Sequence, residues 1–314
     1  MLGIFTKTGA DAAISDIYIA NNEMYAYSAP NVTDKTMAIT IAYDESKQIS
    51  NVVFENNYVK AEVPSNFMTF GALKDCYIQN NTFDVVHTSN CTMGVLFDGR
   101  PGVTIQDNDI TLTSKYGKGV SSIFKCDSVA KNNRIDVDCY TYTFLYGKGQ
   151  LINNVIDMQG CGAFALDPES LIDNKITMNG YMDNFAKYDG VDCDSTITGN
   201  TVDYLYDDSD RGTDPAFTGY LIYAGFHASL NGHTITLCDN VFYTPKISSK
   251  NKEILAYGIG DTTPQNIIIK NNQVGSFKWV RNLYGQKMTN VVTEENYDSD
   301  GELVSLDTRL VYFW

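Results

Sequence analysis

Short apolar runs, partly alternating with polar residues, recur along the whole chain, and each closes on a polar pair that ends in Asn. The recurring residues are Asn22, Asn57, Asn81, Asn108, Asn133, Asn154, Asn174, Asn200, Asn240, Asn272 and Asn296. Two positions after the first ten stand Met24, Val59, Phe83, Ile110, Ile135, Ile156, Ile176, Val202, Phe242 and Val274; Asn296 is followed by Asp298, where the pattern fades. Successive Asn residues are 20 to 40 positions apart, which reads as one solenoid coil per period with insertions in the longer periods. Runs such as Ile14-Ser-Asp-Ile17-Tyr-Ile19, Val103-Thr-Ile105 and Ile267-Ile-Ile269 are β-branched and too short for helices, so they predict strands. Asn tolerates the left-handed backbone region, so a sharp corner repeated in every coil selects it, and stacked Asn side chains can hydrogen-bond to the next coil.

A second series lies out of phase with the first: Tyr43, Phe70, Phe97, Phe124, Tyr146, Leu166, Tyr188, Tyr223, Tyr257 and Tyr284. One member falls between each neighbouring pair of Asn residues, and it predicts an interior or groove-wall stack. Coils stacked in this way form parallel strands about 4.8 Å apart, each coil burying its inward side chains against its neighbours.

The repeats Ile78-Gln-Asn-Asn-Thr-Phe83, Ile105-Gln-Asp-Asn-Asp-Ile110 and Ile197-Thr-Gly-Asn-Thr-Val202 make the chain resemble the right-handed parallel β-helix proteins of the pectate-lyase-like superfold. The resemblance runs from about residue 12 to 290. It implies an all-β, single-stranded solenoid of about ten coils over residues 1–290, with 291–314 as a C-terminal hairpin and terminal strand. The superfold hosts lyases, hydrolases, adhesins and phage tailspikes, so it is nearly silent about chemistry.

Composition narrows the partners. With 23 Lys+Arg against 38 Asp+Glu, the net charge of −15 argues against nucleic acid and anionic membranes. It weighs mildly against a polyanionic glycan unless calcium bridges the two. No segment has the length or purity of a transmembrane helix, and the N-terminal residues do not read as a signal peptide. Seven scattered Cys, with no CxxC and only three His, suit small buried core residues in a protein made in a reducing cytoplasm, as a virion protein would be; a secreted enzyme whose signal has been trimmed is the alternative. The first coil begins near Ile14 with nothing to cover it, which predicts another segment or chain at that end. At the other end Val291 to Glu302 reads as a hairpin with an Asp-Gly turn, and Leu310 to Trp314 as a cap or subunit contact.

The longest insertions, about 26–37 and 204–218, leave from one corner of the coil, which marks that flank as the working face. It carries many of the 21 Tyr, among them Tyr25, Tyr27, Tyr116, Tyr140, Tyr142, Tyr181, Tyr204 and Tyr206. Flat rings beside short polar groups suit a sugar. Tyr181, Tyr188, Tyr204, Tyr206 and Arg211 are the candidate substrate-binding residues. Asp208, Asp210 and Asp214, around Gly212, have an alternating spacing that could hold calcium, although the full loop pattern is absent and a solvated acidic loop explains it as well. Asp189, Asp192 and Asp194, with Asp167 and Glu169 one coil earlier, could supply the two carboxylates of glycoside hydrolysis. The chain has no Asn-Thr-Asp, no Asp pair before Gly-His-Gly and no Arg-Ile-Lys, so it lacks the polygalacturonase signature. These features predict a carbohydrate-recognising β-helix of a phage tail, a tailspike or receptor-binding protein that contacts bacterial surface polysaccharide, with depolymerase activity left open. A bacterial polysaccharide lyase or glycoside hydrolase, and a structural or adhesin spacer, are the alternatives. The family resemblance implies a homotrimer; the partners expected are bacterial surface polysaccharide and either further copies of the chain or a larger virion assembly.

Overall fold

The computed structural model describes residues 2–4, 14–27, 38–41, 49–70, 73–88, 94–99, 102–115, 119–125, 127–180, 182–190, 193–205, 219–224, 232–243, 252–257, 266–277, 279–282 and 291–304. The chain is an all-β, right-handed parallel β-helix, and it divides into two units, Met1–Gln159 and Gly160–Trp314. Each coil contributes strands to three walls, named here in chain order. In the first unit the first wall runs through Leu2–Ile4, Ile39–Ile41, Met68–Phe70, Val95–Asp98, Val120–Lys125 and Thr141–Tyr146. The second wall begins with Ile14–Ala20 and Ile49–Glu55, and the third with Glu23–Tyr27 and Tyr58–Val63. The second unit repeats the plan, with first-wall strands Cys161–Leu166, Met182–Tyr188, Gly219–Ala224, Lys252–Tyr257 and Trp279–Asn282. Among the described residues the strands of each wall pair in parallel, as in Val103↔Cys76 and Ile110↔Ile135.

The corner between the second and third walls explains the Asn series. Two residues span it wherever strands flank it on both sides, as between Glu55 and Tyr58. The first of the pair has positive φ in every coil: Asn21, Asn56, Asn80, Asp107, Asn132, Asn153, Asp173, Gly199, Asp239, Asn271 and Glu295, between 53° and 70°. The series Asn is the second residue, so turning the chain is its neighbour's task. From Asn57 to Asn296 the series Asn is buried, and its carboxamide wires coil to coil. The backbone N–H and Nδ2 of Asn81 both donate to Oδ1 of Asn108, at 2.9 and 3.0 Å, and Asn108 repeats this towards Asn133. Nδ2 also donates backwards, from Asn108 to the Ile78 carbonyl at 2.9 Å. The same wiring joins Asn174, Asn200, Asn240, Asn272 and Asn296 in the second unit. Gly199 takes the same place with φ of 70°, and Oδ1 of Asp173 occupies the space where its Cβ would stand.

Inward side chains form the core. Alternation fails in Ile14–Ala20 and Ile49–Glu55 because Asp16 and Asn51 adopt positive φ in mid-strand, so the apolar residues on either side both face inward; Asp75 has positive φ at the matching place in Leu73–Gln79. Phe97 stacks on Phe124 at 5.4 Å in the first unit, and Phe164 on Phe185 at 5.2 Å in the second. The out-of-phase aromatic series is not one stack. Phe70, Phe97, Phe124 and Tyr188 are buried, but Phe124 pairs with Leu145, and Tyr146 pairs with Lys125 on the outward row. A one-residue offset in a strand moves a side chain to the other face. Tyr43 and Tyr284 lie outside the described residues.

At the C-terminus, Val291–Glu294 pairs in parallel with Asn266–Lys270, so the second wall extends beyond residue 290. The expected hairpin is confined to the segment beyond it. Tyr297 bridges Leu303 antiparallel, and Oδ1 of Asp298 accepts the Asp300 and Glu302 N–H groups at 2.9 and 3.0 Å. Leu310 to Trp314 lies outside the described residues.

Candidate functional site

Of the acidic residues expected to be catalytic, Asp167, Glu169, Asp189 and Asp194 lie at the corner between the first and second walls of the second unit. Asp167 has φ of 49° and directs Oδ1 at the next coil, accepting the Asp189 N–H at 2.9 Å and the Gly190 N–H at 3.2 Å. Burial pushes its carboxyl above the usual carboxylate range, against these two N–H groups. Asp189 is exposed and ion-paired with Lys187 at 3.0 Å. Asp194 accepts the Thr234 N–H at 2.8 Å and lies 3.4 Å from Nδ1 of His233. Glu169 is exposed, and its carbonyl accepts the Thr196 N–H. Asp192 lies outside the described residues. Asp167 and Asp194 thus each hold a neighbouring coil's backbone, a task that explains an Asp at these positions without chemistry.

The substrate-binding expectation requires correction at two residues. Tyr188 is fully buried, its hydroxyl hydrogen-bonded to Ser195 at 2.8 Å, and burial pushes its ionisation well upward. Tyr204 is also buried. Both side chains alternate onto the inward face of their strands, so neither ring offers a face to a sugar. Tyr181, Tyr206 and Arg211 lie outside the described residues, as do Asp208, Asp210 and Asp214, the calcium candidates. Among the described residues no group of three or more His, Cys, Asp or Glu side chains could hold a metal ion.

What the structure brings together is a shelf on the first wall of the first unit. Strand Thr141–Tyr146 points Tyr142 and Tyr146 outward, 53% and 45% exposed. At 3.3 Å per residue the two rings are about 13 Å apart along the strand. Tyr140 meets Tyr142 edge-on at 6.0 Å. Register sets Asp98 beside Lys125 and Lys125 beside Tyr146. Lys125 Nζ lies 5.9 Å from the Tyr146 ring centre, within cation–π range. Asp98 is turned instead towards Asn66, whose Nδ2 donates to it at 2.9 Å while Asn66 Oδ1 accepts the Val95 N–H at 3.0 Å. Elsewhere Lys60 and Lys270 each pair with the carboxylate of the next coil, Asp84 and Glu294. Gly119 fixes the shelf's edge, since a Cβ on it would lie 1.2 Å from the Tyr140 carbonyl oxygen.

Variable insertions flank this wall on both sides. Strands are separated by four residues from Val63 to Met68 and seven from Ile41 to Ile49, against the constant two at the Asn corner. The first wall is therefore the one rimmed by loops. Sequence reading finds Tyr142 but assigns it to a loop, and it has Tyr146 in the aromatic series; Lys125 and Asn66 escape it because only the register aligns them. Comparison with protein-family models, with curated proteins and with solved structures finds no match.

Proposed function

We propose that this protein is a carbohydrate-recognising β-helix that contacts a bacterial surface polysaccharide through the first wall of its first unit, as phage tailspikes and receptor-binding proteins do. The observation that carries the reading is the pair of outward rings, Tyr142 and Tyr146, with Lys125 over one of them and Asp98 and Asn66 in the adjoining row. Aromatic faces take the apolar face of a pyranose, while the lysine and carboxylate meet hydroxyl and acidic groups. A rigid strand holds both rings, which lowers the ordering cost of binding. Binding without cleavage is the favoured form, because Asp167 and Asp194 are engaged as backbone caps. Assembly as a homotrimer in a phage tail belongs to the same proposal, and light scattering on the purified chain tests it by mass.

The test is a panel of capsular, O-antigen and plant polysaccharides, followed for binding and for reducing-end release. Saturable binding that is lost in the Tyr142→Ala, Tyr146→Ala double variant supports the reading. Binding that survives the double variant removes the shelf. New reducing ends make the protein a hydrolase, or a lyase when an unsaturated uronate absorbs.

A further inference from the structure

The cation on the first-wall shelf is placed differently from three other lysines of the walls. Lys60, Lys187 and Lys270 each hold a carboxylate, Asp84, Asp189 and Glu294, at 3.0, 3.0 and 2.7 Å. Lys125 is exposed and stands in register with Asp98, yet among the described residues no carboxylate lies within ion-pairing distance of its Nζ. Carboxylates on either side of it serve other donors. Asp98 accepts Nδ2 of Asn66 at 2.9 Å, and Asn66 Oδ1 accepts the Val95 N–H at 3.0 Å, which ties Asp98 to the preceding coil. Asp127, two residues beyond Lys125, accepts the Lys148 N–H at 3.2 Å. The Lys125 ammonium is held 5.9 Å from the centre of the exposed Tyr146 ring.

A cation fixed beside an exposed ring can sort one sugar from another. A pyranose laid on the Tyr146 ring has its exocyclic carbon at the ring's edge, within reach of the lysine. A hydroxymethyl group there offers the ammonium a neutral acceptor, whereas a carboxylate offers a charge-assisted bond roughly twice as strong. Lys125 therefore separates a uronate from the neutral hexose of the same shape. The surrounding charge limits how many such groups the surface accepts. Asp98 lies one coil before Lys125 and Asp127 two residues after it, in a chain of net charge −15, so a second carboxylate on an adjoining sugar meets like charge. At the other ring, the register Val120↔Thr141 and Ser122↔Thr143 sets Ser121 alongside Tyr142, a hydroxyl that suits a neutral sugar.

We infer, on the glycan-binding reading of this shelf, that Lys125 is its specificity-determining residue. The polysaccharide it selects carries isolated uronates between neutral sugars, with the uronate on Tyr146 and a neutral sugar on Tyr142.

The probes are the panel polysaccharides whose repeat holds a single uronate, the same polymers after carbodiimide activation and borohydride reduction of their carboxyls, and polygalacturonate. Each is titrated into the native chain and into Lys125→Met, in which the unbranched stem stays and the charge goes. The expected result is that a uronate-bearing polymer binds the native chain about tenfold more tightly than its reduced form and than polygalacturonate, and that Lys125→Met brings both ratios close to unity. Equal or tighter binding of the reduced polymers, a preference that survives Lys125→Met, or polygalacturonate bound as tightly overturns the inference. Where the Tyr142→Ala, Tyr146→Ala double variant still abolishes that binding, the glycan reading of the shelf stands without it. Silence from every uronate-bearing polymer also overturns the inference, and silence from the neutral polymers as well removes the reading beneath it. The comparison of each polymer with its reduced form uses the native chain alone, so it stays decisive whatever Lys125→Met does to folding.

Discussion

At the scale of single residues, two kinds of Asn carry the fold and answer to different chemistry. The corner residue needs a left-handed backbone, and its side chain is secondary. Asn132→Gly should change stability by a few tenths of a kcal/mol, whereas Asn132→Val should cost about 1–3 kcal/mol, read from the urea midpoint. The series residue next to it needs its carboxamide and is insensitive to φ preference. Asn108→Leu strands the Asn81 N–H and leaves the Ile78 carbonyl short of a partner, a loss of about 2–6 kcal/mol at roughly 1–3 kcal/mol for each of the two groups. Equal effects at positions 132 and 108 would contradict this division. The sequence displays both residues as Asn pairs, so their periodicity is legible, but the pairs alone cannot say which member turns. Asp107, Gly199 and Glu295 at the first position and an unbroken Asn at the second hold that answer, in the contrast between a tolerant site and a demanding one. The thiols are a third case. Burial pushes Cys76 up to about 12 and Cys139 up to about 11. Both should resist alkylation in the native chain and react on unfolding, as mass spectrometry of labelled peptides would show.

At the scale of elements, stacking in register brings like charges together as readily as like rings. On the third wall Asp136 lies beside Asp157 in the neighbouring coil and shares its strand with Asp138. Burial first, then these two carboxylates, raise the Asp136 carboxyl above its ordinary value. A raised carboxyl binds its proton more tightly in the folded chain, so its unfavourable contribution is full at neutral pH. That contribution disappears as pH falls through the folded value to below the unfolded value of about 3.9. Asp136→Asn should therefore raise the urea midpoint at pH 7 and leave it unchanged below that value, with added salt shrinking the difference. An unchanged midpoint at pH 7 would show that solvent screens the row. The shelf is also an element-scale object, since Gly119 admits the Tyr140 carbonyl and so sets the strand that bears Tyr142 and Tyr146. Gly119→Ala should displace that strand and weaken glycan binding by about tenfold or more, with far smaller effects from an Ala placed at exposed Gly190, where a Cβ meets nothing within 4 Å.

At the scale of the molecule, strand type, parallel stacking and period follow from repetition, and so the fold is readable from the chain. The site is less so, because a site on a solenoid is made across coils. Lys125, Asp98 and Tyr146 stand 27 and 21 residues apart in sequence and meet only through register. The acidic segment from Asp189 to Asp194 is conspicuous as a string of letters, yet its described members serve turns and an ion pair. Tyr188 and Tyr204 mislead for a related reason: both belong to strands, and an offset of one residue decides between core and surface. Loop insertions flank the first wall at both corners and leave the Asn corner constant, which makes that wall the surface free to vary with a ligand. The most direct measurement is calorimetric titration of bacterial surface polysaccharides into the native chain and into the Tyr142→Ala, Tyr146→Ala double variant, after equal urea midpoints have shown that both are folded. Saturable binding to the native chain with loss of at least about 2 kcal/mol in the double variant is the predicted result; binding of equal strength to both would contradict the assignment of the first wall as the glycan-recognising surface.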